Sequence, residues 1–120
     1  MTVRGVFVSA TEFLELQPGD VVFAQGDTGA TMYGVVSGSI ELRDGDVVVG
    51  VCGNDDTFGE LAIIDHTVRS LTAVAVEQSR VAVIDERTFL YLVHETPTFA
   101  LQVMRALAAR IRHLDEAREH

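Results

Sequence analysis

Residues 16–42 read LQPGDVVFAQGDTGATMYGVVSGSIEL, and the rhythm of this stretch decides the fold. Apolar runs of four or five residues are cut at close intervals by Pro18-Gly19-Asp20, Gln25-Gly26-Asp27 and Ser37-Gly38. Runs this short cannot make helical turns that pack, and the glycines and proline would break a helix at each interval. Short strands at regular spacing with turn residues between them are the pattern of a β-sandwich or barrel. Phe13-Leu14-Glu15-Leu16 is the expected first strand and residues 21–24 the second, with Thr28-Gly29-Ala30 prolonging the turn after it. Residues 32–36 and 39–43 flank Ser37-Gly38, which is expected to close a tight hairpin between them.

The same pattern runs outward. Asp44-Gly45 is a second hairpin signal and leads into a strand over residues 46–51. The polar run Gly53-Asn54-Asp55-Asp56 breaks the sheet, and strands over 71–76 and 80–85 flank Glu77-Gln78-Ser79. Composition shifts at Asp85, an expected N-cap for a helix over 86–94. Thr96 and Pro97 mark the start of a second helix reaching near the C-terminus. Along that helix Leu101, Met104, Ala108 and Ile111 form one apolar stripe, and Val103, Leu107 and Leu114 another. A helix lying on a sheet needs one apolar face, so two stripes point to a wide packed face or a second partner. The expectation is one domain over residues 1–120: a mainly β, antiparallel barrel or jelly roll over about 13–85, then two α-helices over about 86–118.

Composition narrows the function classes. The 120 residues are 48% hydrophobic and 22% charged, which describes an ordered globular chain. Residues 1–11 contain the β-like run VRGVFV but lack the basic start and apolar core of a secretory signal, and no apolar run is long enough to span a membrane. Cytoplasmic residence is expected. A net charge of −9 opposes nonspecific binding to nucleic acid or anionic lipid. It also means that an anionic ligand needs a local cationic pocket. One cysteine, Cys52, excludes an internal disulfide, and its place at a strand end suits a small buried side chain.

Residues 58–70, FGELAIIDHTVRS, carry the chemistry. Gly59 lets a ligand approach the backbone closely. Amide N–H groups at the start of the turn that follows favour an anion. Arg69 offers a planar fork of donors to phosphate oxygens. Glu60 repels phosphate, and so is expected to accept hydrogen bonds from a neutral diol such as a ribose. Leu61, Ile63 and Ile64 are expected to pack inward and fix the turn, and His66 to be exposed. The glycines at 26, 38, 45 and 53 are read as turn residues only.

FGELA, a short spacer and then RS resembles the phosphate-binding cassette of cyclic nucleotide-binding domains, the family of the bacterial catabolite activator protein, protein kinase regulatory subunits and cyclic nucleotide-gated channels. The glycine-punctuated strands upstream and VAVIDERTFLYLV downstream resemble the same family, over roughly residues 13–112. The resemblance implies that Glu60 binds the ribose 2′-hydroxyl. It implies that backbone N–H groups around Gly59, Leu61 and Ala62 help hold the cyclic phosphate, with Arg69 as the phosphate-binding arginine. Ser70 would contact the phosphate or a guanine amino group. Val68 stands where the family commonly has proline. Leu71 stands where it commonly has alanine, adding bulk near the pocket floor or in the core.

The leading expectation is therefore a non-enzymatic sensor for a cyclic mononucleotide, cAMP before cGMP, that repositions its C-terminal helices. Arg110, Arg112 and His113 on the late helix are candidates for contacting the base. A possible homodimer through that helix follows from its second stripe and from the family's habit. A DNA-binding regulator is not expected from a sequence that stops on this helix. A metal-dependent cupin-type enzyme needs clustered histidines, whereas His66, His94, His113 and His120 are scattered. The alternative kept beside the sensor is a degenerate fold that binds no ligand and serves as a dimerising scaffold.

Overall fold

The computed structural model describes residues 12–119. The expectations for residues 1–11, and those resting on the side chains of His113 and Leu114, lie outside the described residues. The elements in order are β1 (Phe13–Leu16), β2 (Val21–Phe23), β3 (Thr31–Ser37), β4 (Ile40–Asp44), β5 (Val47–Cys52), β6 (Thr57–Phe58), α1 (Leu61–Ile64), β7 (Thr72–Ala75), β8 (Ser79–Asp85), α2 (Glu86–Glu95) and α3 (Thr98–Glu119). The strands form two four-stranded antiparallel sheets, β1-β8-β3-β6 and β2-β7-β4-β5. A mainly β jelly roll followed by helices is thus realised as two sheets sharing a core.

Side-chain alternation explains the layers. On β3, Tyr33 and Val35 point into the core shared by the two sheets, where Phe23, Ile40, Leu42, Phe58 and Ala73 meet them. Met32 and Val36 point the other way, into a second core with Phe99 and Val103 of α3 and Leu92 of α2. β8 repeats the pattern: Val81 and Val83 face the first core, Ala82 and Ile84 the second. The β1-β8-β3-β6 sheet is therefore apolar on both faces, and the helices cover one of them. Asp85 caps α2, its carboxylate accepting from Thr88 N–H at 2.7 Å. That bond holds the Asp85 carboxyl below its ordinary value. Thr96 O and Pro97 O accept from Phe99 and Ala100 N–H at 2.9 and 3.1 Å, so Pro97 lies in the tight turn that opens α3, within one residue of the helix start.

Two expectations are corrected, and one strand is added. Ser37-Gly38 does not close a β3–β4 hairpin. β3 pairs with β8 and β6, and β4 with β7 and β5, so the turn is a corner between sheets. Its cause is visible at Gly38, which has φ +104° and lies so close to Ser79 that a Cβ would fall 2.6 Å from Ser79 Cα. Ser79 Oγ accepts from Ser39 N–H at 3.1 Å and holds the corner. Second, β6 went unforeseen, because two residues carry no alternation to read; its pairing of Phe58 with Tyr33 is supplied by tertiary contact. Third, Leu61 and Ile64 do not pack inward. One turn of helix presents one face to the sheets, taken by Ala62 and Ile63, and leaves Leu61 and Ile64 exposed.

The β4–β5 hairpin forms at Gly45-Asp46, as Asp44-Gly45 signals, with Asp44 opposite Val47. Gly38→Ala is expected to destabilise the protein by at least ~2 kcal/mol, since it adds both backbone strain and a backbone clash. A urea midpoint unchanged from wild type would show that the corner relaxes freely.

Candidate functional site

Arg69 enters from the segment before β7 and is fixed first by its backbone. Its N–H donates to Asp27 O and its carbonyl accepts from Gly26 N–H, both at 2.8 Å. The turn between β2 and β3 therefore sets where the guanidinium starts. The side chain is buried, 6% exposed, with its guanidinium carbon 4.2 Å from the Phe23 ring centre and 5.8 Å from that of Tyr33. Nη1 donates to Gly59 O at 3.1 Å and Nη2 to Thr31 Oγ1 at 3.4 Å, while Nε is buried without a hydrogen-bond partner. Burial pulls this guanidinium below its ordinary value, against the opposing influence of Tyr33 and Asp27.

Gly59 has φ +79°, and a Cβ there would lie 3.1 Å from Arg69 Nη1 and 3.3 Å from Phe23 Cε2. The glycine is thus required both by its conformation and by the arginine lying over it. Gly29, read from sequence only as part of a turn, does similar work: a Cβ there would fall 2.6 Å from Arg69 Nη2. Nothing in the local sequence separates it from an ordinary turn glycine, because the close approach comes from a residue forty positions later in the chain.

Glu60 is 1% exposed. Both its carboxylate oxygens accept from Arg110 Nη1 of α3, each at 2.7 Å. Arg110 Nη2 also donates to Thr57 O and lies 3.8 Å from Cys52 Sγ. Burial works to lower the Arg110 guanidinium, but Glu60, with Cys52 adding to it, holds it above its ordinary value. Burial pushes the Cys52 thiol up to about 11, so it stays protonated, as suits a small core side chain. Helical spacing puts Arg110 on the packed face of α3 with Val103 and Leu107, but it does not name Glu60 as the partner.

All six residues nominated from the sequence, Gly59, Glu60, Leu61, Ala62, Arg69 and Ser70, line one cavity of about 390 Å³. The volume is in the range that holds small ligands. Ala62 N–H closes the α1 turn on Gly59 O at 3.3 Å. Leu71 resolves both of its alternatives at once, packing on the core and lining the cavity. Arg110 lines it as well, whereas Arg112 is exposed. Phe23, Leu42, Leu107 and Ile111 supply apolar wall, and Asp44 a carboxylate that sequence reading passed over. Among the described residues no group of three or more His, Cys, Asp or Glu is placed to hold a metal ion. No helix there is long and apolar enough to cross a membrane.

The fold is a two-sheet jelly roll with helices on one face, and a buried arginine and glutamate share one cavity of small-ligand size. Residues 13–96 match the sequence model of the cyclic nucleotide-binding domain, and the chain belongs to that family. It is 31% identical over 102 residues to the cyclic AMP receptor protein of Thermus thermophilus, covering 81% of this chain and 47% of that protein. It is also 31% identical over 112 residues to the lysophospholipase nte1 of Aspergillus oryzae, covering 89% of this chain and 7% of the enzyme. The chain therefore spans about half or much less of these relatives. A solved structure described for a cyclic-GMP-dependent signalling pathway in bacterial phytopathogenesis superposes with a TM-score of 0.73 at 27% identity, covering 89% of each chain.

Removing Arg110 leaves a buried carboxylate without its cation, which costs far more than removing both partners. Arg110→Met is expected to destabilise the protein by ~3 kcal/mol in urea denaturation, and adding Glu60→Gln to restore at least half of that. Strictly additive losses in the two single variants and the double would show that the pair is not coupled.

Proposed function

We propose that the chain is a cytoplasmic, non-enzymatic sensor module for a cyclic mononucleotide, cAMP ahead of cGMP. The observation that carries this reading is Arg69, a buried guanidinium on the cavity wall whose two hydrogen bonds, to Gly59 O and Thr31 Oγ1, leave most of its five N–H donors unpaired. Burying such a group without full pairing is costly, and a phosphate in the cavity would accept from the Nη hydrogens that the protein leaves unpaired. In this reading Arg69 grips the cyclic phosphate, and the amides around Gly59, Leu61 and Ala62 face it. Glu60 takes the ribose 2′-hydroxyl, and Ser70 the phosphate or base. Membership of the family and the names of the relatives, a cyclic AMP receptor among them, support the ligand class.

The ion pair supports a switch. The carboxylate assigned to the ribose is the one that Arg110 of α3 holds, so ligand and helix address the same group. A ligand that changes the Glu60–Arg110 contact has different affinity for the two helix positions, and that difference is what allows binding to shift them. Leu101, Met104 and Ile111 remain exposed along α3, and a second copy of the chain is the proposed partner for this stripe. The competing reading, a dimerising scaffold that binds no ligand, predicts the same stripe and no binding.

Calorimetric titration with cAMP and cGMP is expected to show saturable binding that Arg69→Ala weakens by about tenfold or more, as loss of a charge-assisted contact worth ~1.5–3 kcal/mol requires. Folded wild-type protein giving neither heat nor thermal stabilisation with either nucleotide would leave the scaffold. In sedimentation, Met104→Glu is expected to shift the protein towards monomer, and an unchanged distribution would place any self-association elsewhere.

A further inference from the structure

Along β4, Ile40 and Leu42 are buried, while Glu41 and Arg43 point outward and pair with each other at 2.7 Å. Asp44 follows in the same phase as Ile40 and Leu42 but stands at the end of the strand, where it is exposed. The β4–β7 register pairs Arg43 with Thr72, so Asp44 lies beside the segment that brings Arg69, Ser70 and Leu71 into β7. Accordingly Asp44 lines the same cavity as those three residues.

Its setting differs from that of Glu60. Asp44 Oδ1 accepts from Gln25 Nε2 at 3.1 Å, Gln25 Oε1 accepts from Gly45 N–H at 3.1 Å, and Gln25 N–H donates to Thr72 Oγ1 at 2.9 Å. A neutral amide therefore orients the carboxylate, and among the described residues no cation pairs with it. Glu60 has both oxygens on Arg110, whereas Asp44 keeps acceptor capacity towards the cavity. The wall next to it is apolar, from Leu42, Val68 and Leu71, which suits the faces of a planar base. A carboxylate accepts and cannot donate, so what it recognises on a base edge is an N–H.

The geometry points to Asp44 as the residue that selects the base, by accepting N–H donors from its edge. The inference rests on the cyclic mononucleotide reading of this cavity. Guanine offers two adjacent donors that match both oxygens of a carboxylate and adenine one amino group, so this contact favours cGMP and works against the cAMP-first order of the sensor reading. Asp44 has a second effect of opposite sign: its charge repels the phosphate of every ligand.

These two effects give the test its signature. Wild type, Asp44→Ala and Asp44→Asn are titrated with cAMP, cGMP and the 3′,5′-cyclic monophosphate of unsubstituted purine riboside, whose base carries no N–H donor. Wild type is expected to bind cGMP or cAMP about tenfold more tightly than the donor-free analogue. In Asp44→Ala that preference collapses, cGMP loses more than cAMP, and the analogue binds as well as before or better. Asp44→Asn keeps the size and the bond from Gln25, so it should melt as wild type does while showing a reduced preference. Equal changes for all three ligands, or no preference in wild type, overturn the assignment and leave the sensor reading standing. If wild type binds none of the three, both fall together.

Discussion

A carboxylate buried at the level of Glu60 must find a cation, and the one it finds stands on the last helix. The Arg110–Glu60 contact is the constraint through which α3, the cassette and β6 become one arrangement. Arg110 reaches Glu60 with one nitrogen and the Thr57 carbonyl with the other, so a single side chain ties the helix to the strand and to the start of α1. Such a pair adds little net stability over an apolar substitute, but it is expensive to break from one side. That asymmetry fits a joint meant to have defined positions better than one meant only to hold.

Around this joint the two cores divide the work. The core between the sheets supports the cavity wall from beneath, through Phe23, Tyr33 and Phe58, whose ring centres lie 5.2–6.0 Å apart, Tyr33 stacked on Phe58 and Phe23 tilted against both. Arg69 lies on that aromatic floor, and its backbone is held to the Gly26-Asp27 turn. The second core, between the β1-β8-β3-β6 sheet and the helices, sets the height of α3 above the cassette through Met32, Phe99 and Val103. The Arg69 end of the cavity is thus built on the core between the sheets, and the Glu60 end faces α3.

How much of this was legible follows from the range over which each signal acts. Strand positions read well because turn residues such as Pro18-Gly19 and Asp44-Gly45 act within a few residues. The N-cap at Asp85 read well for the same reason. The Ser37-Gly38 corner misread because its geometry is imposed by Ser79, on a strand far along the chain. Gly59, Glu60 and Arg69 could be nominated together because a short spacer joins them in sequence. Gly29, Asp44 and the Arg110 partnership could not be placed, since each becomes a feature of the cavity only after the sheets pair. Asp44 left a trace, an acidic residue in the apolar phase of β4, but alternation alone does not say what a strand faces.

The position of β8 carries a consequence for how the chain comes to its structure. β8 is the central partner of β1 and β3, pairing Phe13 with Ala82 and Gly34 with that same residue from the other side. The sheet that underlies the helices therefore cannot assemble until Ser79–Asp85 is available, although most of its other strands lie near the start. Pairings of such sequence separation form slowly, because loop closure must precede the contacts that reward it. During synthesis β1 would emerge with no partner and β3 with only the two residues of β6, until the strand that joins them follows. The order of assembly is written into the strand order: the helices come last in the chain and dock on a sheet completed only one element earlier.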